Sequence, residues 1–517
     1  MTKKDNEKLG LFCSCSNEDE LVNSLPENES QAQIMINITN NNAITRATGN
    51  TGDTDEGTES EYYVTDLAVV LTDAGNIVQS IHYPKVKAEP DNTADATIAT
   101  EVFQVPAGSY KVYVLANYKD AGAAIGSPLK TGVDIASVFN ISDASLLHQN
   151  KKFLMVNTNF VASTTDFSAT ASDTEVDSDH STVSGGKTVH LVSVDIERVV
   201  AKVQCEQAKT SFDVNDDNNV KIATTTLDGA ALINLNKKMY LIRTPAAATN
   251  KPTGISSWIY PVDPNYDTVL NGASDETTWL GNNFSNSSAS SFTDFTSTPT
   301  FYCPENTMTA NAQQNGQTTG VVYKVTYTPE SGAYTELAKD GTSTYDQIFT
   351  AMLGLSSGKD PDITDAIFTT AGSDGTFYAY NGLIFQTKNA AVLYQCIAEA
   401  TGSTTSDKAS NANTNFTTNK SKTGDDLDAI KVYEYTNGAS YYTAWVKHNP
   451  DGANMQQDKF GVVRNHWYIL TVQSISGLGY HKPTFEDAKD PDDPAVANIQ
   501  VAATIKPWTV VRQNVNL

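Results

Sequence analysis

The residue types that most often catalyse reactions or bind metals, histidine and cysteine, stand in no spacing typical of a catalytic or metal site. The seven histidines form no HExxH pair, and the sequence has no glycine-rich phosphate loop and no nucleophile elbow. Beyond Cys13 and Cys15, the cysteines are Cys205, Cys303 and Cys396, an odd number without close spacing. We therefore predict no enzyme activity, no cofactor and no metal site.

One run of acidic and amide side chains, residues 213–218, offers oxygen ligands for Ca²⁺. It lacks the glycine and the distal glutamate of an EF-hand loop, so a solvent-exposed turn is the favoured interpretation and calcium binding the alternative. His466, beside Asn465, is interpreted as a strand residue rather than a ligand. A formal net charge of −25 argues against nucleic acid as a partner, because phosphate binding requires clustered lysine and arginine.

Lipid attachment is the first covalent modification that the sequence predicts. Residues 11–18 resemble the end of a lipobox, in which a small residue precedes the cysteine that is lipidated, and Ser14 precedes Cys15. Cys15 is therefore the predicted site of lipidation, with palmitate as an attached chain; two ordinary cysteines near a terminus are the alternative. The apolar run before it is short, so we expect the recorded leader, residues 1–15, to be truncated.

Proteolysis is the second predicted modification. No lysine or arginine occurs between Lys8 and Arg46, and Arg46 lies in a polar, asparagine-rich run that a protease can reach. We expect an arginine-specific or trypsin-like protease to cut between Arg46 and Ala47. The cut would release residues 16–46 as a pro-segment.

Each end of the chain contains a predicted strand with one apolar face. The pro-segment carries Ile34, Ile36 and Ile38 in alternation. A longer strand near the C-terminus follows an acidic, proline-containing stretch that should be extended and solvated. Its apolar positions are Ile499, Val501, Ala503, Ile505, Pro507, Val511, Val515 and Leu517, with Trp508 on the other parity. An ordinary final strand, folded into its own sandwich, is the alternative interpretation.

Together, the two strands predict a polymerisation reaction. Release of the first strand would leave a groove with unpaired backbone N–H and C=O groups and open apolar pockets, and the C-terminal strand of a neighbouring subunit would fill it. Head-to-tail insertion of this kind does not close on itself, so its product is a filament.

The remaining sequence predicts an all-β fold with long polar loops and a few short helices, because short alternating apolar runs are separated by Gly, Asn, Asp, Ser and Pro clusters. The apolar face changes parity between Val192 and Val203, which places a domain boundary at residues 197 and 198. Two sandwich domains at 47–197 and 198–480 follow, then a tether with the donor strand at 481–517. Helices are predicted at 133–139 and 345–355, and exposed loops at 163–187, 281–318 and 401–425.

Three motifs in the last third of the chain, at residues 441–446, 463–469 and 505–511, resemble the Mfa-type fimbrillins, the major subunits of type V pili of Bacteroidetes. Residues 195–202 and 302–307 show a weaker likeness. The resemblance implies two tandem transthyretin-like β-sandwich domains, export as an outer-membrane lipoprotein and removal of the pro-strand by an arginine-specific protease. It further implies donor-strand polymerisation with copies of the chain and with accessory pilins, in a cell-surface fimbria that supports adhesion to host ligands.

Two other functions remain open from the sequence. The chain could be an accessory pilin at the tip or the anchor of the fibre; retention of both a donor strand and a cleavage site favours the shaft. Abundant tyrosine and polar loops are compatible with a monomeric surface lipoprotein that binds carbohydrate or a host protein.

Overall fold

The structure is a computed structural model of the chain. It describes residues 31–40, 57–86, 98–125, 129–158, 164–167, 173–176, 182–186, 189–245, 260–270, 276–286, 292–337, 341–355, 362–363, 374–483, 488–492 and 499–507. More of these residues lie in strands than in helices, as the sequence predicts, and they enclose three large apolar cores.

The first core lies under one large sheet built from the first 200 residues. The strands of this part are β1 (Gln31–Asn40), β2 (Leu67–Thr72), β3 (Val78–His82), β4 (Ile98–Ala99), β5 (Phe103–Pro106), β6 (Gly108–Ala116), β7 (Val138–Asn140), β8 (His148–Gln149), β9 (Lys152–Phe153), β10 (Met155–Asn157), β11 (Thr164–Phe167), β12 (Asp173–Val176), β13 (Thr182–Gly186) and β14 (Val189–Arg198). The sheet order is β3-β2-β6-β10-β14-β1-β4, and β5 and β11 pair with β1 and β6.

Residue type explains why the interior strands of this sheet form where they do. All six residues of β2, Leu-Ala-Val-Val-Leu-Thr, are buried, as expected for a β-branched and aliphatic run covered on both faces. The turn to β3 is fixed by Asp73, whose Oδ1 accepts hydrogen bonds from the N–H groups of Gly75 and Ile77. Asn76 takes the left-handed conformation that this turn requires, at φ 67°.

The chain passes from the first sheet to the next at Val199. β14 ends at Arg198, and β15 (Val200–Gln207) pairs with strands of a different sheet. This change of sheet accounts for the change of parity that the sequence shows between Val192 and Val203. The division into domains at residues 197 and 198 stays a prediction.

The second core lies between two sheets. After β15 come β16 (Phe212–Asn215), β17 (Lys221–Ile233), β18 (Leu235–Asn236), β19 (Lys238–Tyr240), β20 (Thr244–Pro245), β21 (Pro261–Val262), β22 (Phe284–Ser285), β23 (Thr293–Asp294), β24 (Thr300–Pro304), β25 (Gly320–Pro329), β26 (Phe377–Tyr380), β27 (Leu383–Phe385), β28 (Val432–Tyr435), β29 (Ala439–Trp445), β30 (His466–Ile475) and β31 (Ile499–Pro507). The sheets β24-β15-β30-β31 and β16-β17-β25-β29 share a core that includes Val203, Val321 and Leu470. They form a β-sandwich.

A helical layer occupies the connection between β25 and β29 and covers the third core. The α-helices of the chain are α1 (Glu59–Tyr62), α2 (Tyr118–Ala121), α3 (Glu276–Asn283), α4 (Thr344–Gly354), α5 (Lys388–Ala398), α6 (Thr405–Asn419) and α7 (Asp425–Asp428). Of these, α4 to α7 share this core with the small sheet β27-β26-β28. Within the described residues, no helix is long and apolar enough to span a membrane.

Comparison with the predicted local elements gives one confirmation and four corrections. Two corrections concern predicted exposed loops: residues 163–187 contain strands β11, β12 and β13, and residues 281–318 contain strand β24 and the fully buried residues Cys303 and Thr318. The helix predicted at 345–355 is α4. The helix predicted at 133–139 is wrong, because Val138–Asn140 is instead strand β7, paired with β19. The exposed loop predicted at 401–425 is also wrong, because it contains α6, which buries Ala409, Ala412 and Phe416.

Candidate assembly site

Strand β1, which contains the predicted pro-strand, is an interior strand of the first sheet. It runs parallel to β14, with residues 33–40 opposite residues 189–196. On its other side it pairs antiparallel with β4 and with β5. Removal of this strand would therefore open the sheet between two neighbours and leave unpaired backbone groups on both sides.

The side chains of β1 are buried on both faces. Ile34, Ile36 and Ile38 are 0–1% exposed and belong to the first core. Met35 lies on the opposite face, is also fully buried and packs with Val189. The place of β1 is consequently a deep slot, whereas the sequence predicted only one buried face.

Asn37 is a polar residue in this slot. It is 9% exposed, and its side-chain Oδ1 has no hydrogen-bond partner among the described residues. A buried polar atom without a hydrogen bond destabilises the state that contains it. The occupant that the chain supplies for its own slot is therefore not optimal.

Residues 98–106, which contain β4 and β5, form one wall of the slot, and we call them the wall segment. Ile98, Ala99, Thr100 and Val105 are all buried. In the part of the chain that the structure describes, β4 and β5 pair only with β1. Outside these strands, the wall segment has a bridge between Thr100 and Val86 and a hydrogen bond from Glu101 N to Lys85 O of 2.9 Å.

The predicted donor strand begins as β31, and in this single chain β31 pairs with its own β30. The antiparallel register places Val501 opposite Val472, Ala503 opposite Leu470 and Ile505 opposite Tyr468. This pairing corresponds to the alternative interpretation of the sequence, an ordinary final strand folded into its own sandwich. β31 is the last strand in the order of its sheet. Ile499 and Pro507 are its end residues, and Trp508, Val511, Val515 and Leu517 lie outside the described residues.

The acidic stretch before β31 is attached to the sandwich rather than fully solvated. Its main chain contacts residues 313–318: Gly316 N donates to Ala488 O at 2.8 Å, and Asn315 N donates to Asp490 O at 2.9 Å. Asp492 is 1% exposed and accepts a hydrogen bond from the hydroxyl of Thr318. The prediction of a solvated tether is therefore wrong for residues 488–492, because hydrogen bonds hold both the backbone and one carboxylate.

C-terminal to the predicted cleavage site, a buried charged cluster anchors the chain at α1. Glu61 of α1 is 1% exposed; its carboxylate accepts hydrogen bonds from Lys202 Nζ at 2.8 Å and Tyr302 OH at 2.6 Å. Arg198 donates through Nε to the Glu61 carbonyl at 2.7 Å and through Nη1 to Asn465 at 3.1 Å. Burial raises the pKa of Glu61, but the hydrogen bonds from Lys202 and Tyr302 outweigh it and hold the pKa below its usual value. Residues that follow Arg46 are thus anchored to the second sheet system.

Two more buried ion pairs lie near this cluster, where the chain passes from the first sheet to the second. Arg243 contacts Glu197 at 2.7 Å, and Arg464 contacts Glu305 at 3.1 Å. Arg464 also donates to the carbonyl oxygen of Tyr240 at 2.7 Å. These side chains are at most 5% exposed, so they connect segments far apart in the sequence at a position that solvent does not reach. The segments that carry the weaker resemblance, 195–202 and 302–307, meet here.

The other predicted sites give a mixed outcome. Cys15, Arg46 and Ala47 lie outside the described residues, so lipidation and cleavage stay predictions. Cys205, Cys303 and Cys396 are buried free thiols, and burial raises the pKa of each to about 12, so their sulfurs are unreactive at neutral pH.

The acidic run at 213–218 begins within β16 and continues into the turn between β16 and β17. Asp216 Oδ1 accepts hydrogen bonds from the N–H groups of Asn218 and Val220, so this carboxylate serves the turn itself. No cluster of His, Cys, Asp or Glu in the described ranges could hold a metal ion.

Comparisons with known proteins give matches at both ends of the chain. The model of the family described as major fimbrial subunit protein (FimA) matches residues 32–194. The model described as major fimbrial subunit protein type IV, fimbrillin, C-terminal, matches residues 433–514. The first match contains β1 and the wall segment, and the second contains β30 and β31. No curated protein matches the chain.

Solved structures with fimbrial descriptions align along most of the chain. A fimbrilin from Porphyromonas gingivalis is 13% identical; the alignment covers 92% of this chain and 99% of that one, at a TM-score of 0.39. The tip fimbrial protein Mfa3 from Porphyromonas gingivalis is 12% identical; the alignment covers 92% of this chain and 100% of that one, at a TM-score of 0.30.

Proposed function

We propose that this chain, a fimbrial subunit by both of its family matches, builds the shaft of a surface fibre by donating its C-terminal segment to a neighbour. The premise of a fimbrial subunit agrees with the resemblance that the sequence motifs indicate. The proposed reaction is the replacement of β1, after cleavage at Arg46, by the C-terminal segment of the next subunit. The observation that carries the proposal is that β1 is an interior strand, buried on both faces.

The size of the slot supports a stable joint. β1 contributes ten residues, so an equivalent strand would form on the order of ten main-chain hydrogen bonds, each worth roughly 1 kcal/mol net. Three isoleucine positions point into the first core, and each buried aliphatic side chain adds about 1.5–3 kcal/mol. Dissociation should therefore be slow, even after the entropy of ordering the donor is subtracted.

The part of the C-terminus after Pro507 is the better donor. β30 buries Tyr468, Leu470 and Val472 in the second core, so detaching β31 would uncover the edge of a filled sandwich. Residues 508–517 number ten, the length of β1, and include the apolar positions Val511, Val515 and Leu517. We therefore propose that β31 stays on β30 as a base and that residues 508–517 enter the neighbour.

The contacts of residues 488–492 with 313–318 support a β31 that stays on its own β30, because they fix the position from which β31 starts. The cluster around Glu61 supports the other half of the reaction. It holds the chain from α1 onward, so a cut at Arg46 would separate β1 from the rest of the chain while α1 stays anchored.

Maturation and location follow from the same proposal. The precursor is exported as a lipoprotein through Cys15, reaches the outer membrane and is cut by an arginine-specific protease between Arg46 and Ala47. Loss of the lipidated pro-segment would free the subunit for the fibre. Accessory pilins would start and anchor the fibre, which would support adhesion to host surface ligands.

The test is assembly of the cleaved protein followed as ladders that resist mild SDS. Deletion of 508–517 or the substitution Arg46→Ala should leave monomers, and Val515→Asp should do the same because it places a charge in an apolar pocket. The matched control Asn514→Ala, at a polar position of the same segment, should assemble normally. Ladders that persist without residues 508–517, or with Arg46→Ala, would show that this mechanism is wrong.

A second candidate is an accessory subunit that ends the fibre. In the single chain, β31 is paired with its own β30, which a subunit that donates nothing would show as well as one that donates only residues 508–517. Such a subunit would accept a neighbour's strand after cleavage but would not extend the fibre, so the cleaved protein alone would give no ladder.

A further inference from the structure

The wall of the β1 slot contains a break in its backbone pairing at Thr100. Asn37 pairs with Ala99 and Ile34 pairs with Phe103. Three steps along β1, from 37 to 34, thus face four steps along the wall segment, from 99 to 103. The extra residue is a β-bulge, which interrupts the ladder of main-chain hydrogen bonds.

The side chain of Thr100 restores the pairing at this break. Ile36 N donates to Thr100 Oγ1 at 3.0 Å, and Thr100 N donates to Ile36 O at 2.9 Å. Thr100 is 0% exposed, so no water competes for the Ile36 amide. In an unbroken ladder a backbone carbonyl accepts from this N–H, whereas here a hydroxyl does.

We propose that Thr100 holds the incoming strand at this bulge by accepting the main-chain N–H of the residue that takes the place of Ile36. The inference rests on the proposed strand replacement and adds to it a residue that positions the backbone of the donor. Thr100 contacts the backbone of the incoming strand and not a side chain. Any residue can therefore take that position except proline, which has no N–H.

The need for a main-chain N–H distinguishes Pro507, the last residue of β31, from residues 508–517. Pro507 cannot occupy the Ile36 position, nor the positions of Ile34 and Ile38, whose backbone groups face the same wall because alternate residues of a strand point to the same neighbour. Residues 508–517 contain no proline, so every register within them satisfies Thr100. Proline at the boundary therefore limits how far insertion proceeds.

The experiment measures binding of a synthetic peptide, residues 508–517, to cleaved subunit that lacks its own residues 508–517. Thr100→Val keeps the shape of the side chain but leaves the N–H of the incoming strand buried without an acceptor. The expected loss of affinity is about 5-fold to 100-fold. Thr100→Ser retains the hydroxyl and should bind within about 3-fold of the wild type.

A second series of peptides separates the hydrogen bond to Thr100 from general effects on stability. In each peptide of this series, one amide N–H is replaced by an ester oxygen. One position should weaken binding to the wild-type subunit by more than its neighbours of the same parity, and the extra effect should vanish in Thr100→Val. Thermal unfolding of uncleaved Thr100→Val should still show one cooperative transition.

The outcomes distinguish the two levels of the proposal. Equal affinity of the peptide for wild type and Thr100→Val, or an ester effect unchanged by that substitution, overturns the role of Thr100 and leaves strand replacement intact. Failure of the peptide to bind the wild-type subunit overturns strand replacement and the role of Thr100 with it.

Discussion

Substitution of Ile36 by alanine should weaken the precursor and leave the finished fibre unchanged. Ile36 is 0% exposed and lies in the first core, and truncation of a fully buried isoleucine to alanine costs about 2–5 kcal/mol. That free energy is lost from the precursor, in which β1 fills the slot. On the proposed mechanism the mature subunit has lost β1, so the substituted residue would no longer be part of the molecule.

The assay compares two proteins with the same substitution at different positions. Ile196 lies in β14, is 0% exposed, belongs to the same core and stays in the mature subunit. Urea unfolding of the precursors should show a lower free energy of unfolding for both Ile36→Ala and Ile196→Ala. The temperature at which fibres dissociate in SDS should fall for Ile196→Ala alone.

Fibres of Ile36→Ala that dissociate at a lower temperature than wild-type fibres would refute the reasoning, because β1 would then still be present in the fibre. A precursor of Ile36→Ala with unchanged stability would refute the burial on which the magnitude depends.

Three further predictions concern polar groups. Asn37→Val should raise the free energy of unfolding of the precursor by about 1 kcal/mol, because it removes a buried oxygen without a hydrogen bond, and mass spectrometry should show slower release of the cleaved pro-segment. Glu61→Gln should cost about 3–5 kcal/mol in urea unfolding by leaving the Lys202 charge uncompensated, and adding Lys202→Met should recover part of it. Burial raises the pKa of Asp263 to about 7; the folded state thus keeps a proton on this carboxyl that the unfolded chain releases near pH 4, so the contribution of Asp263 to stability should fall as pH rises from 4 to 7. In urea unfolding across this range, the free energy of unfolding of Asp263→Asn should fall less, or rise more, with pH than that of the wild type.

The part of the fold that the sequence predicts well is the part in which local pattern and tertiary burial agree. Alternation of Ile34, Ile36 and Ile38 predicts β1, and the strand is present with those residues in the core. The change of parity near residue 198 corresponds to a real change of sheet. Periodicity is informative in both places because one face of each strand packs against apolar neighbours.

The sequence did not predict elements whose stability comes from a few contacts. Helix α6 is rich in Ser, Thr and Asn, which favour turns over helices, yet it is held by three buried residues on one face and by a capping box between Thr404 and Asp407. The spacing of Ala409, Ala412 and Phe416 is the signal that could have found it. The composition of the whole segment hid that signal.

Long-range pairing was beyond the reach of the sequence. Tyr302 and Glu61 are 241 positions apart, and nothing in the local pattern of either indicates a shared cluster. The pairing of β31 with β30 and the bulge at Thr100 depend in the same way on tertiary register. The sequence thus predicted which strands take part in assembly, and the structure adds what β1 and β31 contact in the single chain.

The most direct test of strand replacement is a mixing experiment with two half-competent subunits. One carries Arg46→Ala, so it keeps β1 in its slot but has an intact C-terminal donor. The other is cleaved at Arg46 and lacks residues 508–517, so it has an open slot and no donor. Size-exclusion chromatography should show monomers for each protein alone and a one-to-one heterodimer for the mixture, with nothing larger. A mixture that stays monomeric, or either protein forming oligomers alone, would contradict the exchange of a subunit's first strand for its neighbour's last segment.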